Sequence, residues 1–156
     1  MKEELLSIFE ENSHLKICVL GTTCTGKSTL IRELGYGIDM DEAIFPLLTE
    51  EEKSYVCQTP WTEEIGAKMN ELVKAKLSIK PNEPVFGTVL LDCDLIIYLH
   101  ISDELLKERA AKRGVDFENA KNMQSQIEEE IRNSQTAYMK VEVESYHEEF
   151  ASRKLS

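Results

Sequence analysis

The string Gly21-Thr-Thr-Cys-Thr-Gly-Lys-Ser28 constrains this chain more than any other stretch. It follows the apolar run Lys16-Ile-Cys-Val-Leu20 and precedes Leu30, Ile31 and Leu34, which keep helical spacing until Gly35 stops them. The context is therefore strand, glycine loop, helix, and in that context GxxxxGK[ST] reads as a phosphate cradle. Gly21 and Gly26 permit backbone angles closed to other residues, so the amides of Thr22, Thr23, Cys24 and Thr25 can turn inward around an anion. The helix start adds its partial positive end, Lys27 a full charge for the β and γ phosphates, Ser28 a hydroxyl for Mg²⁺, and Thr29 a contact to the α phosphate. The expectation is that ATP or another nucleoside triphosphate binds through residues 21–29. Cys24 reads as loop filler rather than as a reactive thiol, since the motif places no constraint there.

The remaining chain alternates strand and helix signals. Residues 1–14 carry Leu5, Leu6 and Phe9 at helical spacing among acids, which predicts a short leading helix. Gly35 to Glu42 reads as a turn and a short second strand, and Thr49-Glu-Glu-Glu52 is a capping box opening an acidic helix. Thr59-Pro60 predicts a helix start, with Trp61, Ile65, Met69, Leu72 and Leu77 on one face. Residues 84–91 and 94–101 are continuously apolar, as parallel strands covered on both faces would be. Ser102 caps a helix that carries Arg109 and Arg113 one turn apart and ends at Gly114. From Asn119, the apolar positions Met123, Ile127, Ile131, Tyr138, Met139, Val143, Tyr146 and Phe150 predict a long amphipathic helix, continuous or broken once. Val141-Glu-Val143 would supply a last strand if that helix breaks early. The fold expected is α/β: a three-layer α/β/α sandwich with a mainly parallel sheet, one domain over 1–156.

These segments resemble the P-loop nucleoside and nucleotide kinase group, which includes adenylate kinase and shikimate kinase, over roughly residues 16–138. The resemblance implies that Asp39 and Asp41, the aspartate pair after the second strand, bind the phosphoryl acceptor, and that Ser28 and Asp39 hold the metal. It also implies a mobile lid at about residues 109–132, in which Arg109, Arg113 and Arg132 face the transferring phosphate. Read from the residues alone, Asp39 and Asp41 are equally turn residues beside glycine. Arg109 and Arg113 have a solvated helix face as their bland alternative, and Asp92 is either a metal aspartate or a turn. One tension is visible: parallel strands need a crossover of a dozen or more residues, yet only a handful separate 84–91 from 94–101. Either residues 88–93 cross in extended form, or one segment is not a parallel strand.

Charge and cysteine usage narrow the function classes. A net charge of −11 argues against a nucleic-acid or anionic-lipid surface. Cys18, Cys24, Cys57 and Cys93 form no CxxC pair or Cys/His cluster, and no apolar leader precedes them, which predicts reduced thiols and a cytoplasmic location. No apolar run approaches the roughly 20 residues that span a bilayer. Trp61 and Tyr98 read as core or helix-face aromatics, and His14, His100 and His147 form no ligand set. The leading expectation is a kinase moving the γ-phosphoryl of ATP, with Mg²⁺, to a nucleoside, nucleoside monophosphate or similar small acceptor. The competing expectation is a nucleotide-binding assembly factor with slow ATPase activity that engages a basic protein partner. A polynucleotide-end kinase would need a basic groove that the composition does not advertise.

Overall fold

The computed structural model describes residues 1–60 and 62–144, so Trp61, Tyr146, His147 and Phe150 lie outside the described residues. In chain order the elements are α1 (Lys2–Glu11), β1 (Ile17–Leu20), α2 (Lys27–Leu34), β2 (Ile38–Asp39), α3 (Met40–Ile44) with a 3-10 turn at Phe45–Leu47, and α4 (Glu50–Val56). They continue with α5 (Glu63–Lys76), β3 (Val85–Gly87), β4 (Leu95–His100), α6 (Asp103–Arg113), α7 (Phe117–Asn133) and β5 (Ala137–Glu142). The five strands form one sheet in the order β2-β3-β1-β4-β5, and every neighbouring pair is parallel.

Local chemistry sets most boundaries. Gly35 adopts the left-handed conformation that ends α2, and Gly114 does the same for α6. Thr49 and Glu52 form the expected capping box of α4, and Ser102 accepts from the Leu105 amide at the start of α6. The fifth helix begins later than Thr59-Pro60 predicts. Its cap is Thr62, whose hydroxyl accepts from the Ile65 amide, so Pro60 belongs to the preceding turn.

Two apolar clusters lie on opposite sides of the sheet. Cys18, Leu20, Ile96 and Tyr98 face Met40, Ile44, Ile65, Leu72, Val73, Ile127 and Ile131 from α3, α5 and α7. Ile17, Val19, Ile97 and Leu99 face Leu5, Ile8, Phe9, Leu30 and Leu106 from α1, α2 and α6. Alternate residues of β1 and β4 thus feed alternate cores, which explains their continuous apolar character. The arrangement is α/β with an all-parallel sheet, compatible with a three-layer sandwich.

The structure resolves the crossover tension. Strands β3 and β4 flank β1 on either side, and residues 88–94 join them without a helix. Val89 and Leu91 are buried against the cluster that contains Cys18, whose sulfur lies 3.7 Å from the Val89 carbonyl oxygen. Seven residues reach about 24 Å when extended, enough to return from the end of β3 past a four-residue strand to the start of β4.

The long final helix is corrected. α7 ends at Asn133, Ser134 turns extended, and Tyr138 and Met139 lie on β5, paired with Ile96 and Ile97 of β4. The free edge of β4 needs backbone partners, and Val141 supplies a buried anchor, whereas helical spacing alone cannot distinguish the two states. The stretch 109–132, where a lid is expected, consists of the end of α6, the turn Gly114, Val115, Asp116, and most of α7. None of the four cysteines is disulfide-bonded. Among the described residues no helix is long and apolar enough to cross a membrane.

Candidate functional site

In a parallel sheet the loops at the carboxyl ends of the strands form a crevice where the chain switches from one side of its first strand to the other. Here β2 and β3 lie to one side of β1 and β4 and β5 to the other, so the glycine loop opens at that switch. Gly21 follows β1 directly, and its amide donates to the Gly87 carbonyl at the end of β3, 3.2 Å away. A side chain at Gly21 would meet Thr25 Oγ1 at 2.9 Å, so the tight turn excludes any larger residue. Cys24 and Gly26 both take left-handed backbone angles, φ 70° and 89°, and the pair of reversals closes the loop before α2.

α2 begins without a side-chain cap, whereas Asp39, Thr49, Thr62, Ser102 and Asp116 cap α3 to α7. The first amides of α2 therefore present unsatisfied donors and a partial positive charge into the crevice. Lys27 folds back over the loop, its ammonium donating to the carbonyls of Gly21 at 2.6 Å and Thr22 at 2.8 Å and to Thr25 Oγ1 at 3.2 Å. Burial lowers its pKa to about 8, against the raising influence of Asp41 and Asp39, while Arg113 lowers it further. Thr22 and Thr25 are buried and brace the loop: Thr22 donates to the Ala120 carbonyl on α7 at 2.6 Å, and Thr25 to the Thr22 carbonyl at 2.9 Å.

Ser28 donates to Asp39 Oδ2 at 3.3 Å, while Asp39 Oδ1 accepts from the Asp41 amide at 2.9 Å and so caps α3. The expected metal pair is thereby brought together across β2 and α2. Among the described residues no group of three or more His, Cys, Asp or Glu side chains could hold a metal. A hydroxyl and one carboxylate nevertheless suit Mg²⁺, which keeps several waters and takes its other ligands from substrate phosphates. Asp41 has a raised pKa, caused by burial and then by Asp39, with Lys27 opposing.

An open cleft of about 1800 Å³ runs along the loop. Asp41, Thr88 and Met123 line it, as do Arg109, Lys112 and Arg113 of α6 and Lys2 and Leu6 of α1. The lining also holds Arg32, Glu3, Glu33 and Glu144, so with Lys27 six cationic side chains face four carboxylates, a modest local excess of positive charge in a chain of net charge −11. Arg109 Nη1 donates to the carbonyls of Cys24 and Thr25, each at 3.2 Å, and Nη2 to the Glu144 carbonyl at 3.1 Å.

Of the residues singled out in the sequence, the structure brings Lys27, Ser28, Thr29, Asp41, Arg109 and Arg113 around this cleft, with Asp39 joined through Ser28. Arg132 is not brought there. It is exposed in the last turn of α7, just before β5 starts at the edge of the sheet opposite the loop. Asp92 sits in the crossover near the start of β4, again at the far edge. Sequence reasoning missed Gly87 and Thr88, for which the signal was a glycine inside an apolar strand, and it missed Lys2, Leu6 and Met123, for which there was no signal. His100 pairs with Glu142 at 2.7 Å at the carboxyl ends of β4 and β5. No protein-family model matches this chain, and no curated protein matches it.

Proposed function

We propose that the chain is an ATP-dependent small-molecule kinase of the P-loop nucleotide-kinase type, with the three-layer sandwich of that class. The observation that carries this reading is the start of α2: it alone among α2 to α7 has no side-chain cap, and Lys27 and Ser28 stand at that helix start. In this reading the loop amides and Lys27 hold the β and γ phosphates, and Arg113 neutralises charge on the moving group. Ser28 and Asp39 would hold Mg²⁺, which supplies charge neutralisation between the phosphates. The acceptor enters on the side of Asp41 and Thr88. Its hydroxyl oxygen forms a new bond to the γ phosphorus as the bond to the β–γ bridging oxygen breaks, and Asp41 takes the hydroxyl proton. The raised pKa of Asp41 supports that role, since a better base at neutral pH accepts a proton more readily.

The short turn Gly114, Val115, Asp116 favours a second reading. With so short a turn to cover the cleft against water, the same site would serve a nucleotide-switched assembly factor with slow hydrolysis and a basic protein partner. ATP consumption with Mg²⁺ against nucleosides, nucleoside monophosphates and small hydroxy acids separates the two, with Lys27→Ala as the blank. Acceptor-specific stimulation supports the kinase, and uniformly slow, Lys27-dependent hydrolysis supports the switch. Turnover and ATP binding unchanged in Lys27→Ala would sink both. Within the kinase reading, Arg113→Ala lowers kcat by about two orders of magnitude and weakens ATP binding by far less, checked by steady-state rates beside a direct binding titration.

A further inference from the structure

Arg109 and Arg113 lie one turn apart on α6 and both line the cleft, yet their guanidinium groups are used differently. Arg113 has no hydrogen-bond or ion-pair partner among the described residues and lies close enough to Lys27 to bias its charge. Arg109 is fully engaged with the protein backbone, through Cys24 and Thr25 on one nitrogen and Glu144 on the other. When a loop turns its amides inward its carbonyls turn outward, and outward carbonyls packed under a helix need donors. A guanidinium supplies several donors in one rigid plane, so a single side chain satisfies both carbonyls and still reaches a third.

We propose that Arg109 is a positioning residue that staples the phosphate-binding loop in its anion-ready shape. This rests on the phosphate-binding reading of the loop and departs from the expectation that Arg109 contacts the transferring phosphate. Cys24, at φ 70°, holds a left-handed conformation that residues other than glycine seldom adopt. The bond to its carbonyl pins it there, and the bond to the Thr25 carbonyl fixes the peptide that leads into Gly26. The third bond extends the brace. Glu144 follows Val143, whose amide donates to the His100 carbonyl at 2.7 Å, so the loop is tied through α6 to the ends of β4 and β5. The loop after β1 thereby shares a support with the outermost strand of the sheet.

The experiment compares wild type, Arg109→Ala, Arg109→Lys and Arg113→Ala for binding of inorganic tripolyphosphate and of ATP. Amide hydrogen exchange across residues 22–26, melting temperature and kcat are followed on the same proteins. Arg109→Ala is expected to weaken tripolyphosphate binding about tenfold and to speed loop exchange, with added guanidinium restoring both. Arg109→Lys keeps the charge without the fork and also speeds exchange, so the inference does not depend on the alanine variant folding well. Arg113→Ala leaves loop exchange as in wild type. An Arg109→Ala protein that binds tripolyphosphate normally and loses only kcat would overturn the proposal in favour of direct phosphate contact. A binding loss that follows the melting temperature, without guanidinium rescue, would reduce Arg109 to general support and also overturn it. Wild-type protein that binds neither ligand would defeat the phosphate-binding reading itself, and the exchange comparison would still decide whether Arg109 holds the loop.

Discussion

Lys27 is the single formal charge among residues 21–29, and its position makes the site sensitive to pH. Burial lowers its pKa from 10.5 to about 8. A lysine with a folded pKa below its unfolded value binds fewer protons folded than unfolded between the two. The cost of burying its charge is therefore fully present below about pH 8 and is relieved as pH rises toward 10.5, so this group makes stability increase with pH across that window. Phosphate oxygens beside the amine favour the charged form and raise its pKa again. Nucleotide binding above pH 8 is thus expected to take up a proton, visible as a binding enthalpy that changes with the ionisation enthalpy of the buffer. An enthalpy independent of buffer at pH 9 would count against Lys27 as the phosphate contact. The identities of Lys27, Ser28 and the two loop glycines were readable because their chemistry is local, four positions in a row of eight. The partners of Arg109 were not, because Cys24 and Thr25 lie some 85 residues away in sequence, and no periodicity encodes such a contact.

Helix starts carry much of the information at the next scale. Thr49→Ala removes the hydroxyl that accepts from the Glu52 amide and should cost about 1 kcal/mol without altering nucleotide binding, as read by urea denaturation and titration. Gly87 is a sharper case. A Cβ there would come within 2.5 Å of Met40 Sδ and 2.7 Å of Met40 Cβ, so Gly87→Ala must displace the start of α3. The expected loss is about 1–3 kcal/mol, accompanied by lower turnover because Asp39 and Asp41 move with α3. Met40→Ala in the same protein should recover part of both, and additive losses in the double variant would show that the two positions do not collide. Capping boxes, glycine stops and apolar runs made α2, α4, α6, β1 and β4 legible in the sequence. The start of α5 was not, since Thr59 competes with Thr62 as a cap, and β5 was legible only as a conditional last strand at Val141-Glu-Val143, since Met139 and Val143 fit a helix as well as a strand edge.

At the scale of the whole molecule, the sheet turns separate segments into one crevice. Loops following β1, β2 and β3 bring Lys27, Asp39, Asp41 and Thr88 to one edge, while α6 and α7 close the side. A ligand held by so many elements binds the folded state alone. Mg²⁺ and ATP at a hundredfold excess over Kd should therefore raise the unfolding free energy by about 2.7 kcal/mol. Lys27→Ala should show no such gain, and an equal gain in that variant would place the nucleotide elsewhere. The extended crossover of residues 88–94 belongs to this scale too. Val89 and Leu91 fill core space on the α5 and α7 side, so the chain returns to β4 without a helix.

The sequence by itself determined the glycine loop between strand and helix, the alternation of strands with helices, and most helix caps, because each depends on residues within a few positions of one another. Tertiary structure decided which distant groups share the cleft: Asp39 with Ser28, and Arg109 with the loop carbonyls. It also left Arg132 at the far edge and made a strand of the expected helix end. Those outcomes follow from strand order and from the demand of every sheet edge and buried carbonyl for a hydrogen-bond partner, and only the assembled fold supplies that partner.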